Sequence, residues 1–486
     1  MFPYLILALL APLHDSLSEP ASIVKSSQSK PTVIDGQRLP SSGTHVVPAQ
    51  DGTSAWVIRS SNQSIDLSAR LLKSSKDLSG QSNFTGTGLL LDGCKDLTVK
   101  NVNVSGFRIN ILLKNCTNVR LLNCSANLSR AIKMCNEGKP IDTFLNLRDL
   151  DSWRNYGAGI WLENCSKCLV SHCEATAAQN GLLLVNSNEN TIFNNSCSYN
   201  SGWGIGLWKS SRNVVDWNHA DFCNRPWSGG WGGDAAGLVM ANSSNMNSIV
   251  GNSLTFGGDG FFLTDRVNGG FDSSTQKFNF EGSSNRNIVA YNDGSWSSNN
   301  AFEGTFSEGN TYYQNVANNS NYGFWLGFSS HMFLNLNIVR QNRSEGVAIG
   351  QGQQNTLFRN QIEGNSSIGV HIWSDKGAVE SDQPSDQNAI IENRIVGSKV
   401  AINLDRSTNY QVLGNTIEKG AMPKSIRTGF PSFAQIQSLE GWSRFGEVKR
   451  IEALLKLRPI GWKYFTEMGN MDSVVIKVGD YSPVRN

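Results

Sequence analysis

Three acidic residues stand where acid–base chemistry could be done. Asp234 lies in GGDAAGLVM (232–240), Asp259 in GGDGFFL (257–263) and Glu303 in FEGTFS (302–307). Cleaving a glycosidic bond needs two carboxyl groups, one kept protonated as acid and one ionised as base or nucleophile. Around these acids the sequence is rich in large aromatics: Trp208, Trp231, Tyr322, Trp325 and Trp373, with His371 and Arg266 nearby. Tryptophan offers an apolar face and a polar N–H, which suits the C–H faces and hydroxyl edges of sugar rings. The competing reading of Asp234 and Asp259 is a turn aspartate bonding its own backbone. Glu303 resists that reading, because it replaces an apolar or aromatic residue inside an alternating segment.

The segments that carry these residues repeat. GIWLENCSKCLVSHCEA from Gly159, GLLLVNSNENTIFNNSC from Gly181 and GIGLWKSSRNVVDWNHA from Gly204 align with GFWLGFSSHMFLNLNIV from Gly323 and GVAIGQGQQNTLFRNQI from Gly346. The interval is about 22 residues, stretched where loops intrude. Each repeat opens with a short alternating strand. One pair of columns is almost wholly apolar, from Ile160 and Leu162 to Val370 and Ile372, as a strand with one buried face requires. The outward column reads Trp161, Leu183, Gly206, Val239, Phe262, Glu303, Trp325, Ala348, His371, and a second one holds Trp208, Thr264, Thr305 and Trp373. Trp203, Asp259, Tyr322 and Glu345 lie just before their strands. No repeat can bury its own face, so successive rungs must stack on one shared core. The spacing therefore predicts an all-β fold, a single-stranded parallel β-helix of about 12 rungs. Asn190, Asn213, Asn247, Asn287, Asn310 and Asn355 recur at the turn, where asparagine tolerates left-handed backbone and can bond along the stack.

The ends differ from the middle. Residues 1–18 hold an apolar run, Leu5 to Leu13, that is shorter than the ~20 residues of a membrane span; it reads as a signal peptide ending near Ser16 or Ser18. Residues 19–80 are expected to form a linker and an N-terminal cap, 81–420 the β-helix, and 421–486 a partly helical C-terminal cap or tail. Insertions at 129–156, 224–234, 266–284 and 375–387 fall on what is expected to be the binding side. The charged fraction is only 17% and the net charge +2, which argues against both a disordered chain and a nucleic-acid partner. All nine cysteines lie between Cys94 and Cys223. Their columns suggest stacked buried thiols; a metal site from Cys165, Cys168, His172 and Cys173 is the weaker reading, since strand neighbours alternate sides.

The repeat resembles the right-handed parallel β-helix family that includes pectate-lyase-like and polygalacturonase-like proteins, and the three motifs containing Asp234, Asp259 and Glu303 look like a secreted subgroup of it. The resemblance implies a secreted or periplasmic protein acting on a polysaccharide or oligosaccharide, but the fold also hosts hydrolases, lyases, epimerases and non-enzymes. A glycoside hydrolase using Glu303 with Asp259 or Asp234, and no cofactor, is the favoured expectation. A lyase would need Ca²⁺ or arginine to neutralise a uronate, with Arg266, Arg225, Lys209 and His371 available. The consecutive aspartates of polygalacturonase-like proteins are absent, and so is the Asp-Pro-His signature of epimerase-like ones. The alternative is a non-catalytic carbohydrate-binding or cell-surface module. A periplasmic assembly factor for copper enzymes ranks last, because no dense His or Met cluster is present.

Overall fold

The computed structural model describes residues 23–25 and 30–418, except 76, 133–134, 137–138, 141–144, 228–229, 265–269, 273–276 and 375–384. The signal peptide, the C-terminal region 421–486 and Arg266 thus lie outside the described residues.

The chain coils into a right-handed parallel β-helix. Its first sheet has 14 strands, from Thr32–Ile34 to Val400–Asp405, stacked strictly in chain order. A second sheet has 13 strands, from Gln63–Asp66 to Gln411–Leu413. The third face is paired by short strands at both ends, with single bridges running between them from Asn103 through Ser253 to Ile338. Twelve first-sheet strands fall between Thr87 and Asp405. Two more, Thr32–Ile34 and Ser54–Ile58, pair in parallel ahead of them. The coil therefore begins inside the region read as linker and cap. Ser-rich turns and one-strand apolar segments such as Ala55-Trp56-Val57-Ile58 hide the repeat there.

The register matches the alternation in the sequence. Ile160, Leu182, Ile205, Leu238, Phe261, Phe302, Phe324, Val347 and Val370 pair rung to rung, and every one is fully buried. Together with the second-sheet residues Ile192, Ile249 and Leu357 they form one continuous core from Ile34 to Leu404. Cys94, Cys116 and Cys165 are free and buried within it, their thiols donating to the carbonyls of Ile58, Leu91 and Leu113.

The asparagine ladder forms. Asn190 Nδ2 donates to Asn213 Oδ1 at 3.1 Å, and Asn213, Asn247 and Asn287 each repeat the bond to the next rung. A second, longer ladder runs from Asn195 through Asn218 to Asn393 and Asn415 on the far side of the second sheet. These buried amides satisfy the turn carbonyls, which a stack without water could not leave unpaired.

Candidate functional site

The outer face of the first sheet carries the candidate residues, and it is divided. Over its earlier rungs a strap crosses the face. Leu145 and Leu147 are buried there, and a helix, α1 (Leu150–Tyr156), follows. Asp149 caps α1 by accepting from the backbone N–H groups of Asp151 and Ser152. Trp153 of α1 is fully buried, 4.3 Å from Trp203 and 5.2 Å from Trp208 between ring centres. Gly206 makes this approach feasible, since a Cβ there would lie 2.6 Å from Leu183 and 3.1 Å from Trp153. Trp161, Leu183, Val239 and Phe262 join the same apolar cluster. Trp208 is consequently 5% exposed. The expectation that it binds ligand is corrected: an insertion that the repeat could not place covers it.

At the end of the strap lies a cleft of about 250 Å³, lined by Leu145, Asn146, Leu147, Arg148, Asp234, Phe262 and Thr264. The Leu145 N–H donates to Gly233 O, tying the strap to the Gly232–Asp234 turn. Asp234 adopts left-handed backbone, with φ 57°, and its carbonyl accepts from Trp203 Nε1 at 2.9 Å.

The two other acids lie one and two rungs further on. Ala236 pairs with Asp259, and Phe262 pairs with Glu303. Asn300 bridges them. Its backbone N–H donates to Asp259 Oδ1 at 2.8 Å, and its Nδ2 donates to Glu303 Oε2 at 2.7 Å. Thr305 Oγ1 stands 3.5 Å from Glu303 Oε1. Asp259 is 2% exposed, whereas Glu303 is half-buried.

The electrostatics follow from this enclosure. Burial, against the lowering bond from the Asn300 N–H and with the help of the Asp234 charge, pushes the Asp259 carboxyl up to about 7. Burial raises Glu303 well above the usual glutamate range, and Asp259 and Asp234 raise it more. Burial brings Asp234 to about 6, partly opposed by the Arg225 guanidinium. Arg225 itself is 1% exposed. The three acids share one field and each raises its neighbours, so Asp259 and Glu303 are pushed up by the other carboxylates as well as by burial.

Beyond Glu303 the face carries the remaining candidates. Glu303 pairs with Trp325, Trp325 with Ala348, and Ala348 with His371, one per rung. Tyr322 packs edge-on to Trp325 at 5.0 Å, and Trp325 lies 5.6 Å from Trp373. His371 stacks on Trp373 at 4.5 Å, and its Nδ1 meets Glu345 Oε1 at 2.8 Å. Tyr322, Trp325 and Trp373 are half-buried. Trp231 is 61% exposed on a hairpin whose strands pair Pro226 with Trp231, three residues ahead of Asp234.

Sequence reasoning missed Asn299 and Asn300, which both bond Asp259. A signal was present: an Asn-Asn pair precedes the Ala301 rung, at the positions held by Gly258-Asp259 and Asn321-Tyr322 on the neighbouring rungs.

The fold and site define a parallel β-helix protein with a carboxylate cluster on its outer face. The family model described as periplasmic copper-binding protein (NosD) matches residues 72–314 and 272–424, and the chain belongs to that family. The copper-related reading is thus raised by the family's description, and the family match by itself does not test it. No curated protein matches the chain. Among solved structures, it is similar to a double mutant of the periplasmic alginate epimerase AlgG, at 12% identity over 77% of each chain with a TM-score of 0.41. It is also similar to the A-module of mannuronan C-5 epimerase AlgE4 of Azotobacter vinelandii, at 13% identity over 79% of this chain and 89% of that one, TM-score 0.31. A third is the surface adhesin PfbA of Streptococcus pneumoniae, at 10% identity over 81% and 80%, TM-score 0.34.

The family's description raises copper, and the donors can be tested against it. Among the described residues no three His, Cys, Asp or Glu side chains converge as metal ligands. His45 bonds Ser41 O, His172 lies beside Ser171, His219 beside Asp221, His331 beside Ser330, and His371 beside Glu345. Met240 and Met332 are buried in the core. This set does not fit a copper site, which calls for soft or imidazole donors gathered at one place.

Proposed function

We propose that this protein is a secreted or periplasmic carbohydrate-active protein that cleaves or modifies a polysaccharide on the outer face of its first sheet, with glycoside hydrolysis as the reaction. The observation that carries the reading is the Asn300 bridge, which holds Asp259 and Glu303 together beside a run of partly accessible aromatics. Glu303, whose carboxyl burial and the two neighbouring aspartates raise well above the usual glutamate range, is the proton donor to the leaving oxygen. Asp234, the most readily ionised of the three, is the base or nucleophile, and Asp259 with Asn300 sets the field between them. Trp325, Tyr322 and Trp373 receive sugar faces, Arg148 lines the strap side of the cleft, and Trp231 stands exposed on the hairpin ahead of Asp234. The family's periplasmic description supports the location.

The test is a polysaccharide panel assayed with wild type and Glu303→Gln, scoring new reducing ends and unsaturated uronate separately. New reducing ends without unsaturation should fall by on the order of 10²–10⁴ in the variant, the usual contribution of a positioned acid. Unsaturated product would replace hydrolysis by a lyase reaction, with Ca²⁺ or a basic residue to be sought. Binding without turnover would favour a carbohydrate-binding module, a reading that the Tyr322–Trp325–Trp373 group supports independently of the acids.

A further inference from the structure

Glu345 and His371 form a polar pair that the acid cluster does not use. Glu345 lies just ahead of its first-sheet strand, in the lateral position that Asp259 and Tyr322 occupy on earlier rungs. Its Oε1 meets His371 Nδ1 at 2.8 Å, and its buried Oε2 has no hydrogen-bond partner among the described residues. The side chains of Glu345 and His371 are 12% and 19% exposed. A carboxylate at Nδ1 fixes the proton there and leaves Nε2 as an acceptor. One ring face of His371 is taken by Trp373, and Trp373 in turn neighbours Trp325. The pair is thus an oriented acceptor set into an aromatic wall, three rungs from Glu303 along the paired column Glu303, Trp325, Ala348, His371.

Rungs repeat every ~4.8 Å, close to the length of one sugar ring. From these placements we propose that Glu345 and His371 make a remote binding station for a sugar hydroxyl, so that the substrate is a glycan chain of about four or more units lying along the helix axis. The proposal rests on the glycan reading above. The station is too far from Glu303 to act on the same bond, so His371 binds and Glu345 is a positioning residue that holds its tautomer. Ala348, between Trp325 and His371, is fully buried, so the chain would run over the Trp325 and Trp373 rings rather than down to the strand.

The experiment uses the full chain on an array of β-glucan, mannan, xylan, homogalacturonan and alginate fragments, each shorter and longer than about four units. Wild type should prefer long chains. His371→Asn and Glu345→Gln should each weaken long-chain binding up to about tenfold, one lost hydrogen bond, and leave short-chain binding unchanged. Nitrogen-15 NMR of the histidine ring should show the Nδ1–H form in wild type and lose it in Glu345→Ala, which removes the acceptor, a change that altered packing alone would not produce. Equal binding of short and long chains by wild type would overturn the station and leave the acid-cluster reading standing. An equal loss on short and long chains in His371→Asn would do the same. Binding to no fragment at all would overturn both.

Discussion

From Trp161 to Phe262 the outward column of the first sheet is sealed, with exposures of 5% or less for Trp161, Leu183, Val239 and Phe262. From Glu303 to His371 the same column keeps accessible surface at Glu303, Trp325 and His371. Both halves present aromatics at matching register, and Trp208 and Trp373 even occupy equivalent places in the second outward column. The difference comes from one insertion. The strap and α1 convert the first half into a small second core, bordered by the cleft at Asp234. The lesson is that an outward tryptophan is a ligand platform only where nothing else in the chain has claimed its face. The acid cluster sits at the seam, and this position explains its chemistry: the covered side supplies desolvation, and the uncovered side supplies access.

The sharpest way to break this contrast is to remove its keystone. Trp153→Ala should cost about 3–5 kcal/mol of stability, the usual range for deleting a buried large aromatic. It should also make Trp208 accessible, read as increased quenching of tryptophan fluorescence by acrylamide. If stability holds and quenching is unchanged, the strap is not what separates the halves.

A second effect arises at the seam. Asp259 releases its proton near pH 7 when folded and Asp234 near pH 6, against a usual value of 3.8. Between those values the folded chain binds more protons than the unfolded one, so stability falls as pH rises. The contribution is complete below about pH 4 and is lost by about pH 7. Asp293, raised by burial to about 6, adds in the same direction from the third face. Urea midpoints measured across this range should decline in wild type and decline less in Asp259→Asn. An identical slope in the variant would remove Asp259 from the raised set.

The smallest effect sharpens the comparison directly. Trp325→Ala should weaken glycan binding about tenfold, of the order expected for losing one well-placed aromatic contact, whereas Trp208→Phe should leave binding unchanged. Calorimetric titration of both variants with the fragment that wild type binds checks this. Loss of binding in Trp208→Phe alone would invert the assignment of the two halves.

Much of this was legible from residue order. Apolar alternation at a fixed interval can be satisfied only by stacking rungs on a shared core, so the parallel coil, the outward column and the neighbour relation of Glu303 and Trp325 could be read from Gly159 to Asp405. The first turn ladder was equally legible, because asparagine recurs at the same place on each rung, although the left-handed residue there is the one before it (Glu189, Arg212, Met246, Arg286, Gln354), not the asparagine itself. What the sequence could not decide were contacts between segments that do not repeat. Leu145, Leu147 and Trp153 lie in an insertion whose landing place has no period to betray it, so only the tertiary structure showed that it buries Trp208 and leaves Trp325 accessible. The same holds for the protonation of the three acids. Their types and rungs are written in the chain, but the proton affinities depend on how many side chains surround each carboxyl and on where Arg225 and Asn300 reach. Those are properties of packing in three dimensions, where solvent is excluded and charges act through space.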